Sequence, residues 1–177
     1  FGFFTKVDIP FVANAAGVKN FSHPSDILST GFGQSSSVTA LQMVQAYSAI
    51  FNDGVMMRPY VVEKIVDSYS NETIKSWSSE EVGQPISAQS AEYVRELMGR
   101  VVPEEYGSGN RYAKEDVDVV AKTGTGQIAG ENGYDDEVYT SSVMMAAPAD
   151  DPKVMVYYCF VSENIIEIPE GGWKGRY

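Results

Sequence analysis

The chain has 177 residues, 44% of them apolar and 12% aromatic, which is enough for one hydrophobic core and too rich in large apolar side chains for a disordered tail or a fibre. Thirteen basic residues against 24 acidic ones give a formal net charge of −11, which repels nucleic-acid phosphates and anionic lipid headgroups and argues against any polyanionic partner. No run of about 18 apolar residues occurs, and residues 1–10 lack the basic-then-apolar layout of a secretion signal, so a membrane anchor is expected only outside this chain.

Residues 1–37 are rich in Gly, Pro, Ser and Asn, which predicts an irregular segment wrapped over other structure. The single histidine, His23, lies there in Ser22-His23-Pro24-Ser25 with no second ligand nearby; it reads as an exposed loop residue, not as a zinc ligand or a triad member. Thr39-Ala40-Leu41-Gln42 has the spacing of a capping box, with Leu41, Val44, Tyr47, Ser48 and Phe51 following on one helical face. A helix is therefore predicted over 40–52, closed by Asn52-Asp53-Gly54.

Residues 55–66 read as an extended segment and 67–84 as an exposed hairpin or loop. A second helix is predicted after Ser87, with Ala91, Val94, Leu97, Met98 and Val101 at helical spacing, stopping at Pro103. Three strands follow, over 117–123, 138–147 and 153–162, the last two joined by the turn Pro148-Ala149-Asp150-Asp151-Pro152. Two helices and then three closely linked strands predict an α+β fold, helices packed on an antiparallel sheet. The last strand is apolar almost throughout, which predicts cover on both faces, by residues some of which lie outside this chain. Cys159, the single cysteine, sits in that run and reads as a small core residue; it excludes an internal disulfide. Tyr157, Tyr158 and Phe160 read as core or sheet-face aromatics.

The chemistry concentrates in Lys122-Thr123-Gly124-Thr125-Gly126-Gln127, placed at the end of the first of these strands. Gly124-Thr125-Gly126-Gln127-Ile128-Ala129 fits the dinucleotide fingerprint G-x-G-x-x-A, but that site needs a helix to start there and hold a pyrophosphate. The next residues, Gly130-Glu131-Asn132-Gly133-Tyr134-Asp135-Asp136, predict an acidic, glycine-rich loop, which would neither form the helix nor attract phosphate. Glu131, Asp135, Asp136 and Glu137 accordingly read as a solvated face, not as an acid–base pair.

The other reading is a Lys-Thr-Gly box, the substrate-side motif of serine β-lactamases and penicillin-binding proteins. Several separated segments resemble that family in order. Phe1-Gly2-Phe3 with Val7-Asp8-Ile9-Pro10 resembles the family's FGFG…TGIDLP, and Phe32-Gly33-Gln34-Ser35-Ser36-Ser37-Val38-Thr39-Ala40-Leu41-Gln42-Met43 resembles FGQGxxVTxLQM. Asn52-Asp53-Gly54-Val55-Met56 and Pro59-Tyr60-Val61-Val62 continue the match. Ala121 to Ile128 is similar to the KTGTAQ box, followed by Ala146, Pro148 and Asp151-Pro152 at the family's spacing. Class B penicillin-binding proteins are the nearest pattern, with Ser35 where Gly is usual and Gly126 where Ala is usual.

The resemblance implies part of the serine β-lactamase/transpeptidase-like fold, and a parent protein that is a peptidoglycan D,D-transpeptidase at the extracytoplasmic face of a bacterial membrane. Its substrate would be the D-Ala-D-Ala stem peptide, its inhibitors β-lactams, its partners a cell-wall synthesis complex, and it would need no cofactor or metal. A serine β-lactamase and a non-catalytic penicillin-sensing or scaffolding domain are the alternatives. In such enzymes a Ser-x-x-Lys nucleophile attacks the peptide carbonyl; no serine here has Lys three residues on. Residues 1–177 are therefore expected to be the C-terminal part of one transpeptidase domain, inactive alone; the first residue is not Met, and Gly171 to Tyr177 reads like mid-protein sequence. Ser108-Gly109-Asn110 spells the family's Ser-x-Asn motif but lies just before the Lys-Thr-Gly strand, where a polar surface turn is expected. By resemblance, Lys122 and Thr125 are the catalytic residues, Lys122 through its charge and Thr125 through an oxyanion-hole N–H. Thr123, Gly124, Thr125 and Gln127 line the substrate, which is expected to add as a strand at this edge.

Overall fold

The computed structural model describes residues 1–19, 21–103, 105–113, 116–130 and 133–162. In chain order they form β1 (Val18–Lys19), α1 (Pro24–Thr30), β2 (Ser36–Ser37), α2 (Ala40–Phe51), β3 (Met56–Met57), β4 (Lys64–Val66), β5 (Thr73–Ser76), β6 (Glu81–Gly83), α3 (Ala88–Gly99), a 3₁₀ turn (Asn110–Tyr112), β7 (Val120–Gly130), β8 (Gly133–Ala147) and β9 (Val154–Ser162). All strand pairs are antiparallel, in keeping with the α+β class. Two compact units result, residues 1–20 with 36–93 and residues 21–35 with 94–177. Among the described residues no helix is long and apolar enough to cross a membrane. Gly171 to Tyr177 and Glu131 lie outside the described residues, and the side chains of Asp135, Asp136 and Glu137 are likewise not described.

In the first unit α2 starts at the capping box the sequence predicts: Thr39 Oγ1 accepts the Gln42 N–H at 3.2 Å, and Gln42 Oε1 accepts the Thr39 N–H at 2.8 Å. The buried face of α2 differs from the predicted one. It is Gln42, Gln45, Ala46 and Ala49, while Leu41, Val44, Tyr47, Ser48 and Phe51 are only half-buried. The reason is polar anchoring: Gln42, 1% exposed, donates from Nε2 to the carbonyls of Phe3 (2.6 Å) and Thr5 (2.7 Å), pinning the N-terminal segment to the helix. Arg58 adds a second tie, bridging Asp8 at 2.8 Å and Glu80 at 2.6 Å. Residues 55–66 hold β3 and β4, and both pair across the expected boundary with strands of 67–84, β4 with β5 and β3 with β6, so the hairpin starts in the segment read as merely extended.

The second unit holds α1 and the three-stranded sheet β7-β8-β9. Helix α1 falls in the segment read as irregular. Its signals are local, Pro24 in the first turn and the His23 N–H bonded to the Asp26 carboxylate at 2.7 Å, and seven residues are too few to show a period. His23 is exposed, as expected. Helix α3 ends at Gly99, four residues before Pro103; tighter bonds from Arg100 N to Leu97 O and Val101 N to Met98 O follow it.

The sheet also runs further than predicted. β7 starts at Val120, not 117, and carries the Lys-Thr-Gly box inside the strand; β8 starts at Gly133, so Gly130 and residues 133–136, read as loop, belong to strands, with Gly130 opposite Gly133. Ladder pairing with β8 carries β7 through Gly124 and Gly126 despite their weak strand preference. The core of this unit is Met98, Val102, Val120, Ala121, Val143, Met144 and Ala146. β9 departs from expectation, because Val154, Val156, Tyr158 and Val161 are each more than half exposed. Cys159 is exposed as well, and not a core residue. Among the described residues β9 pairs with β8 alone, and none covers its outward side chains.

Candidate active site

β7 leaves the core at Lys122. Val120 and Ala121 are buried at 2% and 0% exposure, whereas Lys122 and Thr125 are exposed and Thr123, Gly124 and Gln127 half-buried. The strand forms one edge of the sheet, its outer side unpaired among the described residues. Alternation puts Thr123, Thr125 and Gln127 on one face, above Val143, Ser141 and Tyr139 of β8. The Gln127 amide donates to the Tyr139 hydroxyl at 3.4 Å, which holds its side chain along the sheet. The result is a row of two hydroxyls and an amide beside an open strand edge.

Lys122 and Gly124 belong to the opposite face, facing Met144 and Ser142 across the ladder. The Lys122 ammonium nevertheless donates to the carbonyl of Thr123, so its charge lies at the backbone of the strand that carries the row. Gly124 leaves room for Ser142: a Cβ there would stand 2.7 Å from Ser142 Oγ and force that hydroxyl to turn. Gly126 has no atom within 4 Å of an added Cβ, so the departure from the usual Ala leaves space unfilled and removes no contact. Tyr157 lies opposite Met144 on this second face, and burial pushes its phenol pKa up despite a hydrogen bond with Ser142, which keeps it neutral and unfit as a base.

One residue near the site was not selected from the sequence. Ser108 occupies an exposed turn, as expected, yet its Oγ is 2.6 Å from Thr123 Oγ1. Only the spelling Ser-x-Asn pointed at it, and its order along the chain argued for a plain surface turn. Among the described residues no group of three or more His, Cys, Asp and Glu could hold a metal ion.

Residues 1–171 match the family model of the penicillin binding protein transpeptidase domain. Stage V sporulation protein D of Bacillus subtilis is 33% identical over 160 residues, 89% of this chain and 24% of that protein. Peptidoglycan D,D-transpeptidase PbpA of Mycolicibacterium smegmatis is 34% identical over 122 residues, 68% of this chain and 23% of that protein. In three dimensions the chain is similar to penicillin binding protein 2X from Streptococcus thermophilus, with a TM-score of 0.76 and 27% identity over 89% of this chain and 24% of the other. The chain thus spans about a quarter of the length of the relatives it matches.

Proposed function

Since this chain belongs to the penicillin-binding protein transpeptidase domain family, we propose that it supplies the substrate-holding wall of a class B peptidoglycan D,D-transpeptidase. Residues 1–177 are, in this reading, the C-terminal part of one transpeptidase domain, and the attacking serine belongs to residues outside them. The observation that carries it is the row Thr123, Thr125 and Gln127 on one face of an open sheet edge, with the Lys122 charge at the same backbone.

The serine hydroxyl adds to the carbonyl of the penultimate D-Ala and loses its proton; the tetrahedral intermediate collapses, expelling the terminal D-Ala as the amine. The amine of a neighbouring strand then attacks the acyl-enzyme and takes the acyl group, regenerating the serine. Thr123 and Thr125 hydroxyls donate to the terminal carboxylate, and Lys122 stabilises both that carboxylate and the serine's proton network in a site of low effective dielectric. The Thr125 N–H is one oxyanion-hole donor. The peptide adds along the β7 edge with Gln127 at the rim, since an unpaired strand offers backbone bonds to an extended ligand. A β-lactam is held by the same groups and stays bound as the acyl-enzyme. The reaction needs no cofactor, and the parent protein acts at the extracytoplasmic face of the cell membrane, anchored by residues outside this chain and working in a cell-wall synthesis complex.

The test is covalent labelling with a fluorescent penicillin. The longer protein that carries these residues is expected to hold a stable label, and the isolated chain none. A label on the isolated chain contradicts the placement of the nucleophile. A label that forms and is rapidly hydrolysed favours a β-lactamase, and no label on the longer protein favours a scaffolding domain.

A further inference from the structure

We infer that Ser108 is a positioning residue for the substrate carboxylate, acting through Thr123; this rests on the transpeptidase reading above. Thr123 and Ser108 lie in the same compact unit, with their hydroxyl oxygens 2.6 Å apart. A hydroxyl carries one proton and two lone pairs, whereas a carboxylate only accepts. When Thr123 holds the carboxylate it must therefore donate to it, and its lone pairs are left to accept from Ser108. Ligand binding fixes the direction of the pair: Ser108 Oγ–H to Thr123 Oγ1, then Thr123 Oγ1–H to the carboxylate. Each bond in such a chain polarises the next. Without Ser108 the Thr123 hydroxyl is free to turn its proton elsewhere.

The turn that presents Ser108 is built, not incidental. Gly109, the next residue, is buried, and its N–H donates to the Val101 carbonyl at 3.0 Å. A Cβ at Gly109 would come within 3.1 Å of Val101 Cγ1 and 3.2 Å of the Val101 carbonyl oxygen, so a larger residue would push the turn and Val101 apart by a few tenths of an ångström. Asn110 Nδ2 donates to the Val102 carbonyl at 3.3 Å, and Val102 is a core residue at 4% exposure. The turn is thereby fastened at Gly109 and Asn110 to the segment after α3, with the Ser108 hydroxyl bonded to the strand. Ser108 itself is exposed, which leaves its replacement little to disturb in the packing.

The experiment uses the longer protein and a penicillin bearing the free carboxylate, following both the pre-acylation affinity and the acylation rate constant. Ser108→Ala is expected to lower the second-order acylation rate about 5- to 10-fold, the scale of one hydrogen bond in a charged chain. The loss should fall on affinity more than on the chemical step. Ser108→Thr should recover most of it, because the hydroxyl is kept. Combined with Thr123→Ala, Ser108→Ala should add little further loss, since the two act in one chain. An unchanged rate in Ser108→Ala, or full additivity with Thr123→Ala, overturns the role of Ser108 while leaving the transpeptidase reading intact. No label on the wild-type protein overturns both.

Discussion

Gln42 and Thr123 are both polar side chains engaged in short hydrogen-bond chains, and they differ in access. Gln42 is buried, and its amide is spent on the Phe3 and Thr5 carbonyls and on its own cap. Thr123 is half-buried in a strand whose outer edge is open, with exposed Lys122 and Thr125 beside it and Ser108 behind it. A buried amide with every group engaged belongs to the fold; a polar row on an open strand edge can exchange water for a ligand. The contrast predicts that changes at Lys122 act on chemistry and changes at Gln42 on stability. Lys122→Ala is expected to slow acylation of the longer protein by a penicillin about 100- to 1,000-fold, the scale of losing one charge-stabilising group, with the urea midpoint nearly unchanged. A large fall in the midpoint would instead make Lys122 a structural residue.

Gln42→Leu, in contrast, keeps the volume and strands two backbone carbonyls and the Thr39 N–H. A loss of about 2–4 kcal/mol in urea unfolding is expected from those unsatisfied groups. A change below about 0.5 kcal/mol, the range of ordinary surface substitutions, would show that the N-terminal segment does not depend on this anchor. Gly124 and Gly126 of β7 sharpen the picture within the site strand. Gly124→Ala drives a Cβ to 2.7 Å from Ser142 Oγ and should cost about 1–2 kcal/mol unless Ser142 turns away. Gly126→Ala meets open space and a backbone outside the left-handed region, so it should stabilise by about 0.4–1 kcal/mol through the unfolded chain. Equal effects at the two positions would remove the distinction.

How far the sequence carried the reading depended on how local each signal was. The capping box at Thr39 and Gln42 was legible because both partners lie within one turn. The reach of Gln42 to Phe3 and Thr5 was not, since nothing in a sequence pairs residues 37 and 39 positions apart. Thr123, Thr125 and Gln127 were placed on one face by the two-residue period of a strand, and the ladder agrees. Ser108 was passed over because its contact with Thr123 crosses 15 residues. At Ser35 only the backbone reveals why Gly is usual in the family pattern: φ is +59°, a left-handed conformation that glycine adopts without the Cβ penalty and serine does not. Cys159 and β9 were read as core because apolar runs are normally covered, but the described residues leave that side open.

The smallest expected effect lies in a region that is neither core nor site, the turn between β4 and β5. Asp67 is partly exposed, and its carboxylate accepts the N–H groups of Ser70 at 2.8 Å and Tyr69 at 2.9 Å. Those backbone bonds, Ser70 first, favour the charged form and hold its pKa below the ordinary 3.8. A depressed carboxylate binds fewer protons folded than unfolded, so its contribution to stability is present above 3.8 and is lost as the pH falls through the lower folded value. Solvent screening at this surface turn keeps that contribution small, so the titration itself is the measurement. The Tyr69 and Ser70 amide shifts, followed by NMR, should move together with a midpoint below 3.8, and Asp67→Asn, which retains an acceptor oxygen and cannot ionise, should abolish the movement. A midpoint at or above 3.8 would mean that the turn bonds do not select the carboxylate.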